Sequence, residues 1–532
     1  MLMFDVIVKN GKVVDGTGNP WFKADVGIKG GRIVKVGHLS SVEAEGIIDA
    51  KGLAVCPGFI DAHTHSDMTI PFGPKVESAV RQGVTTMVTG NCGMSLAPVN
   101  PAKENLLMRY IAPLMPPGRK MKVEWRTFGE YLDKMEEKGI AVNVAPLVGH
   151  GTAKIAVMGF EDRPPTAEEL EEMKALIHEA MLSGAVGMST GLIYAPGAYS
   201  KTDEIIELAK VVAKHGGVYA SHIRNEGATL MEAMEEAIEI GEKAQVPVHI
   251  SHHKASGRAF WGKTEKSLRL MEEARARGVD ITCDQYPYEA GMTSLVMLLP
   301  LWAHEGGMDK LLERLRNPED REKMRKDLED MVYGWEDIYV GYVETEKNKP
   351  LEGKNLVEIA KARGTDEFTA LCNLLLEENG IASMVVFSMG EEDIRRVMRH
   401  HLQMVGSDSW AVAPYDILGA GKPHPRFYGT FPRILGKYVR EEKVLTLEEA
   451  VRKMTSFPAQ RFGLRDRGLV REGFWADLVV FDPETIRDRA TYQDPHQYPE
   501  GIEYVMVNGK IVVEKGEHTG VLAGKVLRHG VP

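Results

Sequence analysis

The chain has 532 residues and a formal net charge of -11, with 43% hydrophobic and 27% charged residues. This length can hold one large domain with a smaller one, and the composition is that of an ordinary globular protein. The acidic balance and the lack of any Lys/Arg-rich run argue against a nucleic-acid partner, because binding a phosphate backbone requires a basic surface.

The four cysteines stand far apart along the chain, and none forms a CxxC pair. This spacing is no disulfide framework and favours a reducing, cytoplasmic setting. The first residues alternate in polarity like a strand and lack the basic start and apolar block of a signal peptide. No apolar run reaches membrane-spanning length, so we expect a cytoplasmic protein with no membrane partner.

Both ends of the sequence have the pattern of short strands joined by tight turns. Asn10-Gly11 and Gly30-Gly31 each lie between alternating apolar segments, which is a strong hairpin signal. Asn508-Gly509 repeats the pattern near the other end. Neither end could bury much apolar surface alone, so we predict one small β-sandwich domain formed from residues 1–56 and 466–532. Two unrelated hairpins are the alternative.

Between these ends, over residues 57–465, strand-like runs alternate with helical stretches, as in parallel βα units. Eight of the runs finish in polar or reactive residues, namely His63/His65, Cys92, His150, Thr190, His222, His252, Asp284 and Asp408. The active site of an eight-stranded βα barrel lies at the carboxyl ends of its strands. We therefore predict an α/β fold of the (β/α)8, TIM-like barrel type with one site at those ends.

One charged and helical segment, from about residue 299 to 343, interrupts the order between the seventh and eighth strands. We predict a small helical insertion over the barrel mouth, which is either a lid or a solvated surface hairpin. A further strand-like run, Met384–Ser388, does not fit a count of eight strands.

Five side chains at the predicted strand ends are candidate metal ligands. His63 and His65 point to the same side of a strand, because side chains two residues apart share a face. Cys92, His222 and His252 follow other strands. Imidazole nitrogen and thiolate sulfur are ligands that zinc prefers, and a catalytic zinc keeps one position open for water. The sequence therefore predicts a zinc site, against the alternative that Cys92 is an ordinary buried thiol.

The run His252-His253-Lys254 leaves a choice of ligand. Strand alternation places His252 and Lys254 on one face and His253 on the other. We predict His252 as the ligand, with His253 as the alternative.

Asp408 follows the eighth predicted strand and is the candidate general acid/base. Zinc lowers the pKa of a bound water to about 7, so a nearby carboxylate can take its proton and return it to a leaving amine. A helix N-cap is the alternative role for this aspartate.

Motifs around these residues make the chain resemble the amidohydrolase superfamily and, within it, the N-acyl-D-amino-acid deacylase (D-aminoacylase) family. They extend over nearly the whole length and are Gly58–Asp67, Gly90–Gly93, Ser221–Glu226, Ser251–Lys254, Tyr286–Tyr288, Gly406–Asp408 and His424–Arg433. The segment Gly90–Gly93 best distinguishes this family from other barrel amidohydrolases. Most barrel amidohydrolases bridge two metals with a lysine or glutamate of the fourth strand, whereas this family uses a cysteine of the second.

The resemblance implies one tightly bound zinc ion, with the ligands Cys92, His222 and His252. A second, weaker position would be formed by His63, His65 and the shared Cys92, so the number of ions stays open. Asp408 would be the acid/base.

The implied substrate is a small molecule, an N-acyl-D-amino acid, whose free carboxylate needs a cationic clamp. Lys254 and Arg426 match the family's positions and suit a carboxylate, arginine especially through bidentate bonds. Tyr286 matches a further carboxylate contact. Tyr194 matches a position that packs on the substrate, although an ordinary buried ring is the alternative.

Two residues depart from the family pattern and bear on specificity. Met292 stands where a serine is frequent, and Ser409-Trp410 follows the aspartate where glycine is common. The expected function is zinc-dependent hydrolysis of N-acyl-D-amino acids by a metal-activated hydroxide. Alternatives are a cyclic amidase of the hydantoinase or dihydroorotase kind, a D-dipeptidase on the same scaffold, and a non-catalytic scaffold protein. The sequence does not indicate an oligomeric state.

Overall fold

The structure of the protein is a computed structural model, and it describes residues 3–39, 43–116, 118, 121–329 and 331–530. The chain begins with five strands that belong to one sheet. They are β1 (Phe4–Val13), β2 (Phe22–Lys29), β3 (Arg32–Gly37), β4 (Ala44–Asp49) and β5 (Ala54–Pro57).

The prediction of a hairpin turn at Asn10-Gly11 is wrong. β1 runs through this pair as a single strand, with a bulge in its pairing to β2 between Val8 and Gly11. Asn10 takes a positive φ of 62°, and its backbone N–H donates to Asp25 Oδ1 at 2.9 Å. β1 also pairs with β4 and β5 on its other edge, so ladder bonds on both sides favour continuing the strand. Gly30-Gly31 does connect the antiparallel strands β2 and β3, as predicted.

The next seven strands belong to a parallel sheet whose neighbours follow chain order. They are β6 (Phe59–Asp61), β7 (Val84–Thr89), β8 (Asn143–Gly149), β9 (Gly187–Gly191), β10 (Val218–His222), β11 (Val248–Ile250) and β12 (Ile281–Gln285). Helices between them are α1 (Glu77–Val80), α2 (Glu104–Ile111), α3 (Phe128–Lys138), α4 (His150–Met158), α5 (Ala167–Leu182), α6 (Thr202–Lys214), α7 (Leu230–Ala244) and α8 (Thr264–Ala276).

α5 illustrates why these segments are helical. It begins at a capping box in which Thr166 Oγ1 accepts from the Glu169 N–H and Glu169 Oε2 accepts from the Thr166 N–H, at 3.2 and 2.8 Å. Met173 and Ile177 recur at helical spacing and are buried. The apolar stripe faces the strands and the charged side faces solvent.

The excursion between the seventh and eighth barrel strands is larger than the predicted helical insertion. It holds an antiparallel sheet of β13 (Ala290–Ser294), β14 (Ile338–Val343) and β15 (Ala382–Phe387), with β15 in the centre. Its helices are α9 (Met308–Arg316), α10 (Pro318–Asp327), α11 (Leu356–Arg363) and α12 (Glu367–Glu377). The helices and the sheet share a separate apolar core. The extra strand-like run Met384–Ser388 therefore forms this sheet and not the barrel.

After α13 (Glu391–Arg399), β16 (Gln403–Val405) pairs with β12 as the eighth barrel strand. The barrel closes between β16 and β6, where the Ala62 N–H donates to the Val405 carbonyl at 3.1 Å. The Asp408 N–H donates to the His63 carbonyl at 2.8 Å just beyond. The predicted eight-stranded barrel is confirmed.

The chain returns to the first sheet after α14 (Arg426–Arg433), a π-helical segment (Ile434–Glu441), α15 (Leu447–Met454) and α16 (Ser456–Arg461). The last strands are β17 (Leu478–Phe481), β18 (Ile502–Val507), β19 (Lys510–Glu514) and β20 (Glu517–His518). β17 pairs with β5, so both ends of the chain build one nine-stranded sheet with a common apolar core. No helix in the described ranges is long and apolar enough to cross a membrane.

Candidate metal centre

The carboxyl ends of the barrel strands bring the five predicted metal ligands together around Cys92. Cys92 Sγ lies 3.4 Å from His63 Nε2. It lies 3.6 Å from His222 Nδ1 and 3.5 Å from His252 Nε2. Two possible ligand groups share Cys92, one with His63 and His65 and one with the other two histidines. Within each group the donor atoms lie within 4.8 Å of one another, and all of these residues are buried.

The loop Gly90–Gly93 carries the cysteine to this point. Gly90 and Gly93 have φ values of 73° and 75°, and a Cβ on Gly90 would lie only 1.9 Å from the Leu147 carbonyl oxygen. Asn91 Nδ2 donates to the carbonyls of Thr64 and Val88, at 3.1 and 3.0 Å, which ties the loop to the first strand end. The glycines allow the close approach, and the asparagine fixes the position of the thiol.

Three residues of the centre have left-handed backbone conformations, with φ of 53° at Cys92, 35° at His252 and 51° at Asp408. Such conformations cost non-glycine residues about 1–3 kcal/mol each and persist where the surroundings hold them, as at functional sites. The expectation from strand alternation does not apply at His252, because β11 ends at Ile250. A turn beyond the strand aims this ring at the cluster.

His253 faces away from the centre. Its Nε2 lies 2.8 Å from the Ser267 hydroxyl of α8, and burial lowers the pKa of this imidazole to about 4. Of the two alternatives that the sequence left open, His252 lies in the cluster and His253 lies outside it.

Two acids that sequence analysis did not assign, the buried Asp284 and the partly buried Glu226, orient the histidines. Asp284 Oδ2 lies 3.3 Å from His63 Nδ1, and Glu226 Oε1 lies 2.9 Å from His252 Nδ1. Each carboxylate therefore accepts from one ring nitrogen and leaves Nε2 of that ring directed at the Cys92 sulfur, as carboxylates do behind metal-bound histidines. Two features of the sequence could have identified these acids: Asp284 ends the seventh predicted strand, and Glu226 ends a family motif.

The electrostatics of the cluster suit a cation. Burial raises the pKa of the Cys92 thiol, but the imidazoles of His63, His222 and His252 outweigh burial and hold it well below its usual range. The thiolate is the form that binds metal. The buried nitrogens His65 Nδ1 and His222 Nε2 have no hydrogen-bond partner among the described residues. A buried thiolate with surrounding imidazoles fits a zinc-type divalent ion.

Asp408 lies at the edge of the cluster. Its Oδ1 is 3.3 Å from His65 Nε2 and its Oδ2 is 3.0 Å from Arg426 Nη2. Burial raises the pKa of this carboxyl, but Arg426 and the histidines lower it well below its usual range, so Asp408 is ionised. The next helical turn begins only at Asp416, so Asp408 does not cap a helix.

The four predicted substrate residues surround the same space. Arg426 is 1% exposed and its guanidinium lies 4.5 Å from the centre of the Tyr286 ring. Lys254 Nζ pairs with Glu226 Oε1 at 2.6 Å, so its charge is already partly neutralised. Arg426 Nε and Nη1 lack a partner within the described part of the chain. The Tyr194 ring contacts His222 edge-on, with centroids 5.0 Å apart.

Two cavity lobes meet at the centre, and both reach Tyr194 and Asp408. Lobe A has a volume of about 1040 Å³ including its mouth and is lined by the segment after β7, by Phe160 and by residues 292–309. Lobe B has a volume of about 1460 Å³ on the same basis and contains Lys254 and Tyr286. The excursion forms a wall of both lobes, so it is not a solvated hairpin.

The two departures from the family pattern both line this space. Met292 borders both lobes, and its sulfur accepts from the His424 N–H at 3.3 Å. Trp410 borders lobe A and packs edge-on against Phe427 at 4.5 Å.

Replacement of His252 by alanine should remove bound metal, whereas His253→Ala should retain it. Of these two histidines, His252 directs a nitrogen at Cys92 Sγ, whereas His253 contacts Ser267 of α8. Metal analysis of both variants after purification tests this difference. Retention of metal by His252→Ala together with its loss in His253→Ala would reverse the assignment.

Comparison with known proteins gives consistent matches over almost the full chain. The model of the amidohydrolase family matches residues 46–513. D-aminoacylase of Alcaligenes xylosoxydans xylosoxydans is 39% identical over 98% of this chain and 97% of its own length.

Two solved structures are also similar. The N-acyl-D-glutamate deacylase of Bordetella bronchiseptica, complexed with zinc and a phosphonate mimic of the tetrahedral intermediate, has a TM-score of 0.83 and 34% identity, covering 99% of this chain and 100% of its own. A D-aminoacylase structure described for its binuclear metal centre, with one-metal activation and second-metal attenuation, has a TM-score of 0.81 and 38% identity with the same coverage.

Proposed function

Because this chain belongs to the D-aminoacylase family of N-acyl-D-amino-acid deacylases, within the amidohydrolase superfamily, we propose that it removes the acyl group from N-acyl-D-amino acids. The observation that carries the proposal is the position of ionised Asp408 beside a thiolate–imidazole cluster built on Cys92. The cysteine of the second strand favours linear amides over the cyclic-amidase alternative. The intact ligand set argues against a non-catalytic scaffold.

The proposed cofactor is zinc, with one ion held tightly by Cys92, His222 and His252. A second, weaker position would use His63 and His65 with the shared cysteine. The buried nitrogen and sulfur donors support zinc, as does the zinc in the similar deacylase of B. bronchiseptica. When bound, such an ion lowers the pKa of a coordinated water to about 7 and polarises the substrate carbonyl. The four unpaired cysteines support a cytoplasmic location.

Asp408 would move the proton. Its carboxylate takes a proton from the attacking water and then gives it to the amide nitrogen as the C–N bond breaks, which releases a carboxylic acid and a free D-amino acid. Arg426 keeps the carboxyl ionised and positioned through its contact with Oδ2. The burial of both groups excludes competing water from this pair.

Arg426 is the strongest candidate for holding the substrate carboxylate. Its buried Nε and Nη1 have no hydrogen-bond partner among the described residues, and they would make charge-assisted bonds to an anion placed beside them while Nη2 stays on Asp408. The ring of Tyr286 supports the guanidinium from one face, and Lys254 Nζ lies 5.6 Å from the same ring. Tyr194 would pack against the bound amide beside His222.

Lobe B suits an apolar amino-acid side chain. Its far wall includes Leu298, Leu299 and Val386. Lys254 and Arg224 both line this lobe, and both are engaged: Lys254 pairs with Glu226 at 2.6 Å, and Arg224 forms two bonds to Glu236, at 2.9 and 2.8 Å. An acidic side chain would find no free positive charge there among the described residues, so we expect D-methionine and D-leucine derivatives to be preferred over D-glutamate.

Acetate release from N-acetyl-D- and N-acetyl-L-amino acids, with Met, Leu, Phe and Glu side chains, tests the proposal. Metal-loaded protein should hydrolyse the D forms only, and the apolar ones fastest. No turnover of either enantiomer by protein that retains its metal would refute the deacylase function, and cyclic amides and D-dipeptides would then be tested. Preference for D-Glu would refute only the assignment of lobe B.

A further inference from the structure

Asp284, near the end of β12, receives hydrogen bonds from three different residues at the base of the metal centre. Its Oδ2 accepts from His63 Nδ1 at 3.3 Å and from His249 Nε2 at 2.9 Å. Its Oδ1 accepts from the backbone N–H of His252 at 2.9 Å. The carboxylate is fully buried, so protein donors take the place of water around its charge.

The same residue holds the turn that carries His252 to the cluster. In addition to the Oδ1 bond, the Asp284 carbonyl accepts from the His253 N–H at 2.8 Å. These bonds tie down two consecutive backbone N–H groups and maintain the left-handed conformation of His252, with φ of 35°. Asp284 therefore contacts the ring of one metal-ligand candidate and the backbone of another.

The surroundings of Asp284 fix its carboxylate in place. His249 Nδ1 lies 2.9 Å from the Thr282 hydroxyl, which holds this ring while its Nε2 donates to the acid. Gly406 leaves room for the acid, since a Cβ at this position would lie 2.5 Å from Asp284 Oδ1 and 2.7 Å from His63 Cβ. A side chain at position 406 would therefore displace either the carboxylate or the His63 segment.

The contacts of Asp284 are with ligand candidates and not with the substrate cavity. Among the described residues, those that line the two lobes do not include Asp284, His249 or His63. His63 belongs to the proposed second position, which it forms with His65 and Cys92. Because an ionised carboxylate only accepts hydrogen bonds, the bond from Nδ1 keeps the ring proton on that nitrogen and leaves His63 Nε2 available to a metal ion.

We infer that Asp284 is a positioning residue that governs the second ion position, because it fixes the tautomer and the orientation of the His63 ring. This inference rests on the proposed metal centre of the deacylase. Loss of such an outer partner costs about 10- to 100-fold in metal affinity. The cost should fall on the second position, since the ring of His63 is not a ligand in the proposed tight position.

An amide cannot replace the Asp284 carboxylate, because the three donors meet two different oxygens. In Asp284→Asn, the amide oxygen can accept from the His252 backbone N–H, whose proton has no other place. The amide nitrogen then faces the rings of His63 and His249. As a donor, it favours the His63 tautomer that carries its proton on Nε2, and this proton blocks the nitrogen that the second ion needs.

Zinc titration of metal-free protein in competition with a chromogenic chelator tests the inference. In Asp284→Asn, the affinity of the second position should fall at least about tenfold, while the affinity of the tight position stays within about threefold of wild type. Gly406→Ala keeps the carboxylate but displaces it, and this variant should weaken the same position. A general loss of structure would not distinguish between the two positions.

Asp393→Asn is the matched control for the loss of a buried carboxylate. Asp393 is 4% exposed, and its Oδ2 accepts from the Gly262 N–H at 2.7 Å. It belongs to none of the ligand groups in the described part of the chain. Its replacement should lower thermal stability and leave both zinc affinities at the wild-type values.

Wild-type affinity at both positions in Asp284→Asn would overturn this inference and leave the metal centre standing. Weakening of the tight position, alone or to the same extent as the second, would also overturn it. Unfolding of both Asp284→Asn and Gly406→Ala would give Asp284 a purely structural role. A wild-type protein that binds no zinc would refute the metal centre itself, and the acetate assay decides the deacylase function separately.

Discussion

Asp408→Asn is expected to lower kcat/KM for the best N-acyl-D-amino acid by about 10²- to 10⁴-fold, the usual contribution of a positioned general acid/base. Asparagine is nearly isosteric but cannot accept the proton, because its amide is not basic. Asparagine also tolerates the left-handed backbone at this position, where φ is 51°. The metal content should stay at the wild-type level, because the Cys92 cluster is intact. Steady-state kinetics measure kcat/KM, and metal analysis of the same preparation measures the metal content.

Asp416→Asn is the matched control for this change. Asp416 also has a left-handed backbone, with φ of 53°, but it is exposed and lies outside the cluster. Its replacement should leave kcat/KM and metal content unchanged. Wild-type activity in Asp408→Asn would show that another group moves the proton. A loss of metal in this variant would instead place Asp408 among the ligands.

Cys92→Ala should abolish metal binding and activity together. Cys92 belongs to both groups proposed to hold an ion, so its loss removes a donor from each of them, although the buried group of His63, His252 and Asp408 does not include it. Removal of an outer partner of a ligand costs about 10- to 100-fold in metal affinity, and removal of this shared ligand should cost more. The measurement is a competition titration with a chromogenic chelator, followed by assay in excess zinc.

Cys56→Ala controls for the loss of a buried thiol. Cys56 is fully buried in β5, and no ligand group in the described structure includes it. Its variant should lose some thermal stability because of the cavity, while it keeps its metal. Full metal occupancy and activity in Cys92→Ala would exclude the cysteine as a bridging ligand and leave the four histidines as the binding set.

The agreement between sequence and structure is best where the signal is local. His63, Cys92, His222 and Asp408 each follow an apolar strand-like run, and the closed barrel brings the ends of those runs together. The prediction failed at Asn10-Gly11, because a turn-forming pair becomes a bulge when the strand is bonded on both edges. The sequence also did not predict the full extent of the excursion. Its charged pattern indicates the helices but not the antiparallel sheet that they cover.

The sequence by itself determined the barrel, the family and the set of candidate metal ligands, because strand periodicity and residue chemistry can be recognised in short segments. Only the tertiary structure decided what those side chains do together. It placed Glu226 and Asp284 behind the histidines and engaged Lys254 with an acid. It left Nε and Nη1 of Arg426 without a hydrogen-bond partner in the described part of the chain. It also created two lobes from segments far apart in the chain. Such features depend on distances between distant residues, which a linear pattern does not contain.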